Sequence, residues 1–107
     1  MIRYITGVEI TDVSDGSYNY RVDIIPASGT FRTTSEEDGS GRYEKIDISF
    51  RTEQPHRLDD WYRRDLILTL HLSDGSLETV GNESVPVRLK TDKASTFAVS
   101  VEYTRPV

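Results

Sequence analysis

The chain reads as an all-β domain, an antiparallel two-sheet β-sandwich of about 7–8 short strands, and three features carry that reading. Apolar residues recur with a period of two in separate windows: Tyr20-Val22-Ile24, Ile46-Ile48-Phe50, Val85-Val87-Leu89 and Phe97-Val99-Val101-Tyr103. Gly, Pro, Asn and Asp punctuate the sequence between these windows, with turn signals roughly every 8–12 residues. None of the windows fits the i, i+3, i+4, i+7 spacing of a helix as well. Successive side chains of a strand point to opposite faces, so each alternation describes one dry and one wet face. A small β-barrel is the alternative, but it imposes a closure condition that a sandwich does not need.

Taken in order, the first strand is expected over Ile2 to Val13, long enough to need a break. Thr6-Gly7 shifts the alternation there and is the candidate bulge. Asp15-Gly16-Ser17 turns the chain into a strand over Tyr18 to Ile25. Residues 26–41, PASGTFRTTSEEDGSG, read as connection, with SEEDGSG as a mobile hairpin tip and Thr30 to Thr34 as a short extra strand. The Ile46-Ile48-Phe50 strand follows. Leu66 to Leu72 is the most apolar run, all leucine on one face and Ile67, Thr69 and His71 on the other, which suits a central strand. Asp74-Gly75 supplies the positive φ angles of a type I′ turn and leads into Leu77 to Val80. Gly81-Asn82-Glu83 makes the next turn. Pro86 has no N–H to donate, so the strand around Val87 belongs at an edge or begins there. The last hairpin turns near Thr91 to Ala94. Leu58 to Arg64 is the only stretch suited to a short helical turn, with Asp59 as its N-cap.

At 107 residues and 12.2 kDa the chain is sized for a single domain, residues 1–107. Scaling gives a folded surface of roughly 6,000 Å² against about 17,700 Å² unfolded, which is enough burial for one core. The net charge of −5 repels a phosphate backbone, so nucleic acid is not an expected partner. Only residues 51–107, with 8 basic against 9 acidic side chains, are balanced enough to present a basic patch. No apolar run approaches the ~20 residues of a membrane-spanning helix, so no membrane partner is expected. With no cysteine, disulfides, thiolate metal sites and a cysteine nucleophile are excluded. The N-terminus lacks the pattern of a signal peptide, and a chain starting natively at Met1 is expected in the cytoplasm.

The most unusual segment is Thr52 to Asp65, TEQPHRLDDWYRRD. It holds the sole Trp61, with Tyr62, His56, Arg57, Arg63, Arg64, Asp59 and Asp60. Trp, Tyr and Arg are the types enriched at interface hot spots, because they bury large areas at small entropic cost. The plainer alternative is that Trp61 plugs one end of the fold while the charges pair along a crossover loop. Tyr18 and Tyr43, each near a strand end, complete the candidate binding set of His56, Arg57, Trp61, Tyr62, Arg63, Arg64, Tyr18 and Tyr43. Convergence of Tyr18, Tyr43, Trp61 and Tyr62 on one exposed face would make a sugar-stacking platform.

Reactive constellations are harder to find. His71 lies mid-strand and reads as a cross-strand partner, and His56 follows a proline in the crossover loop. Neither has the context of a nucleophile and its base. The two histidines lack a third ligand at zinc spacing, and Glu36-Glu37-Asp38 lacks the oxygen cadence of a calcium loop. Asp59-Asp60 shows no sign of the desolvation that raises a catalytic carboxyl. No catalytic residue, metal or cofactor is therefore expected. The expected function is a non-catalytic binding or assembly module acting on another protein or on itself, as in a structural component of a viral or mobile-element particle. A carbohydrate-binding module is the alternative, and a small hydrolase a distant one.

Overall fold

The computed structural model describes residues 2–54, 58–91 and 98–106. Among them are eight strands and no α-helix: β1 (Ile2–Asp12), β2 (Asn19–Val22), β3 (Gly29–Asp38), β4 (Gly41–Arg51), β5 (Leu66–Leu72), β6 (Leu77–Val80), β7 (Lys90–Thr91) and β8 (Ala98–Pro106). All pairings are antiparallel. The strands form one sheet in the order β6-β5-β1-β3-β4-β8-β7, with β2 also on β1. The all-β, antiparallel expectation is met, but one continuous sheet stands where two were expected.

The continuity comes from β1. One edge of β1 pairs with β5 from Ile5 to Asp12, and the other pairs with β3 through Ile2–Ile5 and then with β2 through Val8–Thr11. A strand this long serves two partners in tandem and joins regions that shorter strands would leave separate. The bulge expected at Thr6-Gly7 is present: Ile5 faces Leu72, Gly7 faces His71, and Thr6 is the extra residue. It resets the phase, so Ile5 and Val8, three positions apart, both point inward. Where β3 meets β1, Gly29 lies opposite Ile5. A Cβ at that position would stand 2.7 Å from the Ile5 carbonyl oxygen, so only glycine permits this approach.

One face of the sheet supplies the core: Ile5, Val8 and Ile10 from β1, Phe31 from β3, Ile46, Ile48 and Phe50 from β4, four leucines from β5, and Val99 and Val101 from β8. Among the described residues no helix covers the sheet, and a sheet without one buries a face only by curling across itself. The two ends nearly meet, since Leu66 and Val87 exchange backbone hydrogen bonds of 2.8 Å each in an isolated bridge. Val87 and Leu89 are buried along that seam. The sheet nevertheless stays open, with β6 and β7 as its edges, so the closed-barrel alternative is not realised.

Other expectations change in detail. The SEEDGSG stretch is mostly strand: β3 runs to Asp38 and only Gly39-Ser40 turn. Cross-strand complementarity explains this, because Arg42 reaches Glu37 (3.8 Å), Lys45 reaches Glu36 (4.0 Å), and the Tyr43 hydroxyl donates to Glu36 (2.7 Å). The β5–β6 hairpin is not closed by a type I′ turn. Gly75 has φ 88° while Asp74 keeps an ordinary φ. Gly75 N–H bonds to Leu72 C=O, and Leu72 N–H to Ser76 C=O, as in a three-residue loop ending in a left-handed glycine. The Tyr18–Ile25 strand shortens to β2, and the Val85–Leu89 strand yields only the bridge at Val87. The last hairpin, apart from Thr91 at the end of β7, and Phe97 lie outside the described residues.

Candidate functional site

The β4–β5 crossover carries the most distinctive side-chain arrangement. Two successive turns build it, closed by Trp61 N–H on Leu58 C=O (2.9 Å) and Arg64 N–H on Trp61 C=O (3.3 Å). The expected helical turn near Leu58–Arg64 is thus a pair of turns. Arg63 stands in the second with φ 75°, a left-handed conformation that a side chain makes unfavourable by about 1–2 kcal/mol. Within this span Leu58 and Trp61 point into the core, while Arg63 and Arg64 reach the surface.

Trp61 is only 3% exposed. Tyr18 stacks on its indole at 4.5 Å between centroids with planes 18° apart, and Tyr20 lies at 6.3 Å and 26°. Arg64 caps the stack, its guanidinium carbon 4.6 Å from the Tyr18 ring centroid. The cation sits over the negative face of the ring, an electrostatic attraction that adds to burial. Arg64 Nη1 donates to Asp12 Oδ2 at 2.6 Å, and its Nε donates to the Asp60 carbonyl at 2.7 Å. The result is a column, Trp61–Tyr18–Arg64, dry at one end and 43% exposed at the Arg64 side chain.

Asp12, at the end of β1, fixes the outer end. Its carboxylate is buried, and Oδ1 accepts from the Ser14 N–H (2.8 Å) and hydroxyl (2.7 Å). The Ser14 hydroxyl, then Arg64, then the Ser14 N–H hold Asp12 down at about 2, against the opposing effect of burial. The same bond pushes the Arg64 guanidinium upward. A carboxylate that acidic accepts no proton at neutral pH, so its chemistry here is positioning. Asp12, Val13, Ser14, Arg63, Arg64 and Asp65 line a shallow recess of about 270 Å³ beside the column.

Of the residues expected from sequence, Tyr18, Trp61 and Arg64 converge and Arg63 adjoins them. Tyr62 is half-buried against the core, its hydroxyl pushed up by burial and then by Asp59. Tyr43 does not join them; it lies on the β3–β4 hairpin, bonded to Glu36, which raises its hydroxyl. His56 and Arg57 lie outside the described residues. With Trp61 buried and Tyr43 elsewhere, the four aromatics do not form the open platform that sugar stacking requires. His71 is a cross-strand partner as expected, its Nε2 3.0 Å from Glu9 Oε2. Among the described residues no three potential ligands gather in a metal-binding group.

Asp12 was not foreseen, although a signal for it exists. Asp-x-Ser occurs at 12–14, 15–17, 38–40, 47–49 and 74–76; the 47–49 copy lies within β4, and in the other four the aspartate Oδ1 accepts both the N–H and the hydroxyl of the serine. These are Asx-turns, in which the side chain stands in for backbone. Asp12 is the buried one, and that depends on tertiary structure. No protein-family model, no curated protein and no solved structure matches the chain.

Proposed function

We propose that the chain is a non-catalytic binding or assembly module that engages another protein, or a second copy of itself, through the face around Arg63 and Arg64. One observation carries this reading: the Trp61–Tyr18–Arg64 column is anchored in the core and fixed at its outer end by Asp12 and Asp60. Trp, Tyr and Arg in a preformed arrangement are the composition of interface hot spots, and prior ordering removes the entropy that binding would otherwise cost. The left-handed Arg63 beside it supports the same reading, since retained strain clusters where a side chain must be presented in one direction. Trp61 acts as the base of this face and Arg64 as its contact.

Light scattering after size-exclusion chromatography reads self-association. Affinity capture from cell extract, run side by side with the native chain and Arg63→Glu, reads a heterologous partner. Arg63 suits the comparison because it is exposed, whereas Arg64→Ala would strand the buried Asp12. A defined oligomer or a captured protein, in either case lost with Arg63→Glu, supports the module. A strict monomer whose captured proteins are the same for both chains overturns it.

A further inference from the structure

Beside Tyr20, the segments that follow β2 and β4 line a second cavity, of about 180 Å³. That is smaller than the roughly 300–1,000 Å³ of pockets that enclose a whole small-molecule ligand, and it suits a single side chain. Tyr20, Ile24, Ile25 and Pro26 give it apolar walls. The Pro26-Ala27 turn sets this shape: Ser28 N–H bonds to Ile25 C=O (3.1 Å), and Ala27 takes φ 64°. Two carboxylates, Asp23 and Glu53, stand on the rim, and both are exposed. Neither makes an ion pair among the described residues. Deeper in, Thr52 is 3% exposed, and its oxygen accepts one long bond from the Gln54 N–H (3.4 Å).

Apolar walls on one side of a cavity whose rim carries negative charge are complementary to one kind of group. We infer that this cavity receives a long cationic side chain, lysine or arginine, presented by the protein partner, with its methylenes against Tyr20, Ile24, Ile25 and Pro26 and its charge at Asp23 and Glu53. The chain's net charge of −5 favours approach of a basic partner in the same sense. Long basic side chains bury an apolar stem while keeping the charged head near water, as a shallow cavity with an acidic rim allows. The inference rests on the reading of the chain as a protein-binding module, and adds the chemistry of what it binds. Tyr20 links the two, since it forms one wall of the cavity and lies 6.3 Å from Trp61.

The test uses the whole chain, isotope-labelled, titrated in NMR with N-acetyl-lysinamide, N-acetyl-argininamide and the uncharged N-acetyl-norleucinamide. Saturable shifts at Tyr20, Ile24, Ile25 and Thr52 with a millimolar dissociation constant are expected for at least one cationic probe, and which one binds tighter identifies the side chain. The norleucine probe should bind at least 10-fold more weakly. Asp23→Asn/Glu53→Gln should weaken the cationic probe about 10-fold. Raising salt to about 0.5 M should weaken it too, because both carboxylates are screened; this arm uses the unmodified chain. Equal binding of the norleucine probe, insensitivity to salt, or no saturable shift at these residues up to 50-fold above the expected constant overturns the inference. None of those results touches the oligomer and capture measurements, so the two readings fail separately.

Discussion

Replacing Gly29 by alanine tests the join between β1 and β3. The new Cβ would lie 2.7 Å from the Ile5 carbonyl oxygen and 2.9 Å from Ile5 Cβ, both closer than real Cβ contacts come. The two strands must then part by several tenths of an ångström at the Ile5–Gly29 pair, next to the bulge where β1 changes partner. Overpacking of this kind costs about 1–3 kcal/mol. A stretched ladder bond adds up to about 1 kcal/mol. Against these, alanine restricts the unfolded chain and returns about 0.4–1 kcal/mol. The net loss is about 1–3 kcal/mol, a fall of roughly 5–20 °C in melting temperature for a domain of this size. Gly16 and Gly39 provide matched controls, because nothing lies within 4 Å of a Cβ built on either. Urea unfolding of the three alanine variants gives the comparison, with Gly16→Ala and Gly39→Ala expected at or slightly above the native chain. Equal stability of Gly29→Ala and these controls would refute the close approach, and with it the single continuous sheet.

Three further outcomes follow from the same geometry. Trp61→Ala removes a buried ring and its stacking partners, and should cost about 3–5 kcal/mol by urea unfolding; a loss under about 1 kcal/mol would mean the indole is not part of the core. Ala27→Gly relieves a left-handed alanine worth about 1–2 kcal/mol at the expense of about 0.5–1 kcal/mol of chain entropy, so the variant should melt slightly higher, and a lower melting point would contradict the turn. Asp12, held at about 2, has its folded-state value below the unfolded one near 3.9. Its contribution is therefore complete above pH 4 and lost as pH falls towards 2. Asp12→Asn should be less stable at pH 7 and show a shallower stability loss between pH 4 and 2, which unfolding measured across that range checks.

Much of the fold was legible because period-two patterning is local. Ile46, Ile48 and Phe50 face inward as their alternation requires, and so do the four leucines of β5. The bulge at Thr6-Gly7 was visible for the same reason, since a phase shift within one strand is written in consecutive residues. What the pattern does not encode is which edge meets which. Nothing in the alternation says that β1 takes β2 and β3 in tandem, so one curled sheet and two stacked sheets look alike in sequence. The acidic end of β3 was misread because composition marks Ser35 to Asp38 as loop, while the stabilising partners, Arg42 to Lys45, lie on the facing strand. In the candidate site, residue types pointed to the crossover, and three of the named side chains do converge. Asp12, 52 positions from Arg64, entered only through tertiary contact.

The sole tryptophan makes one experiment decisive for the column on which the functional reading stands. Fluorescence of the folded chain should peak at short wavelength and resist acrylamide, with both properties reverting on denaturation, because Trp61 lies beneath Tyr18 and inside the core. A long-wavelength emission in the native state, quenched as readily as free indole, would place Trp61 in water and remove the base that holds Tyr18 and Arg64 in position.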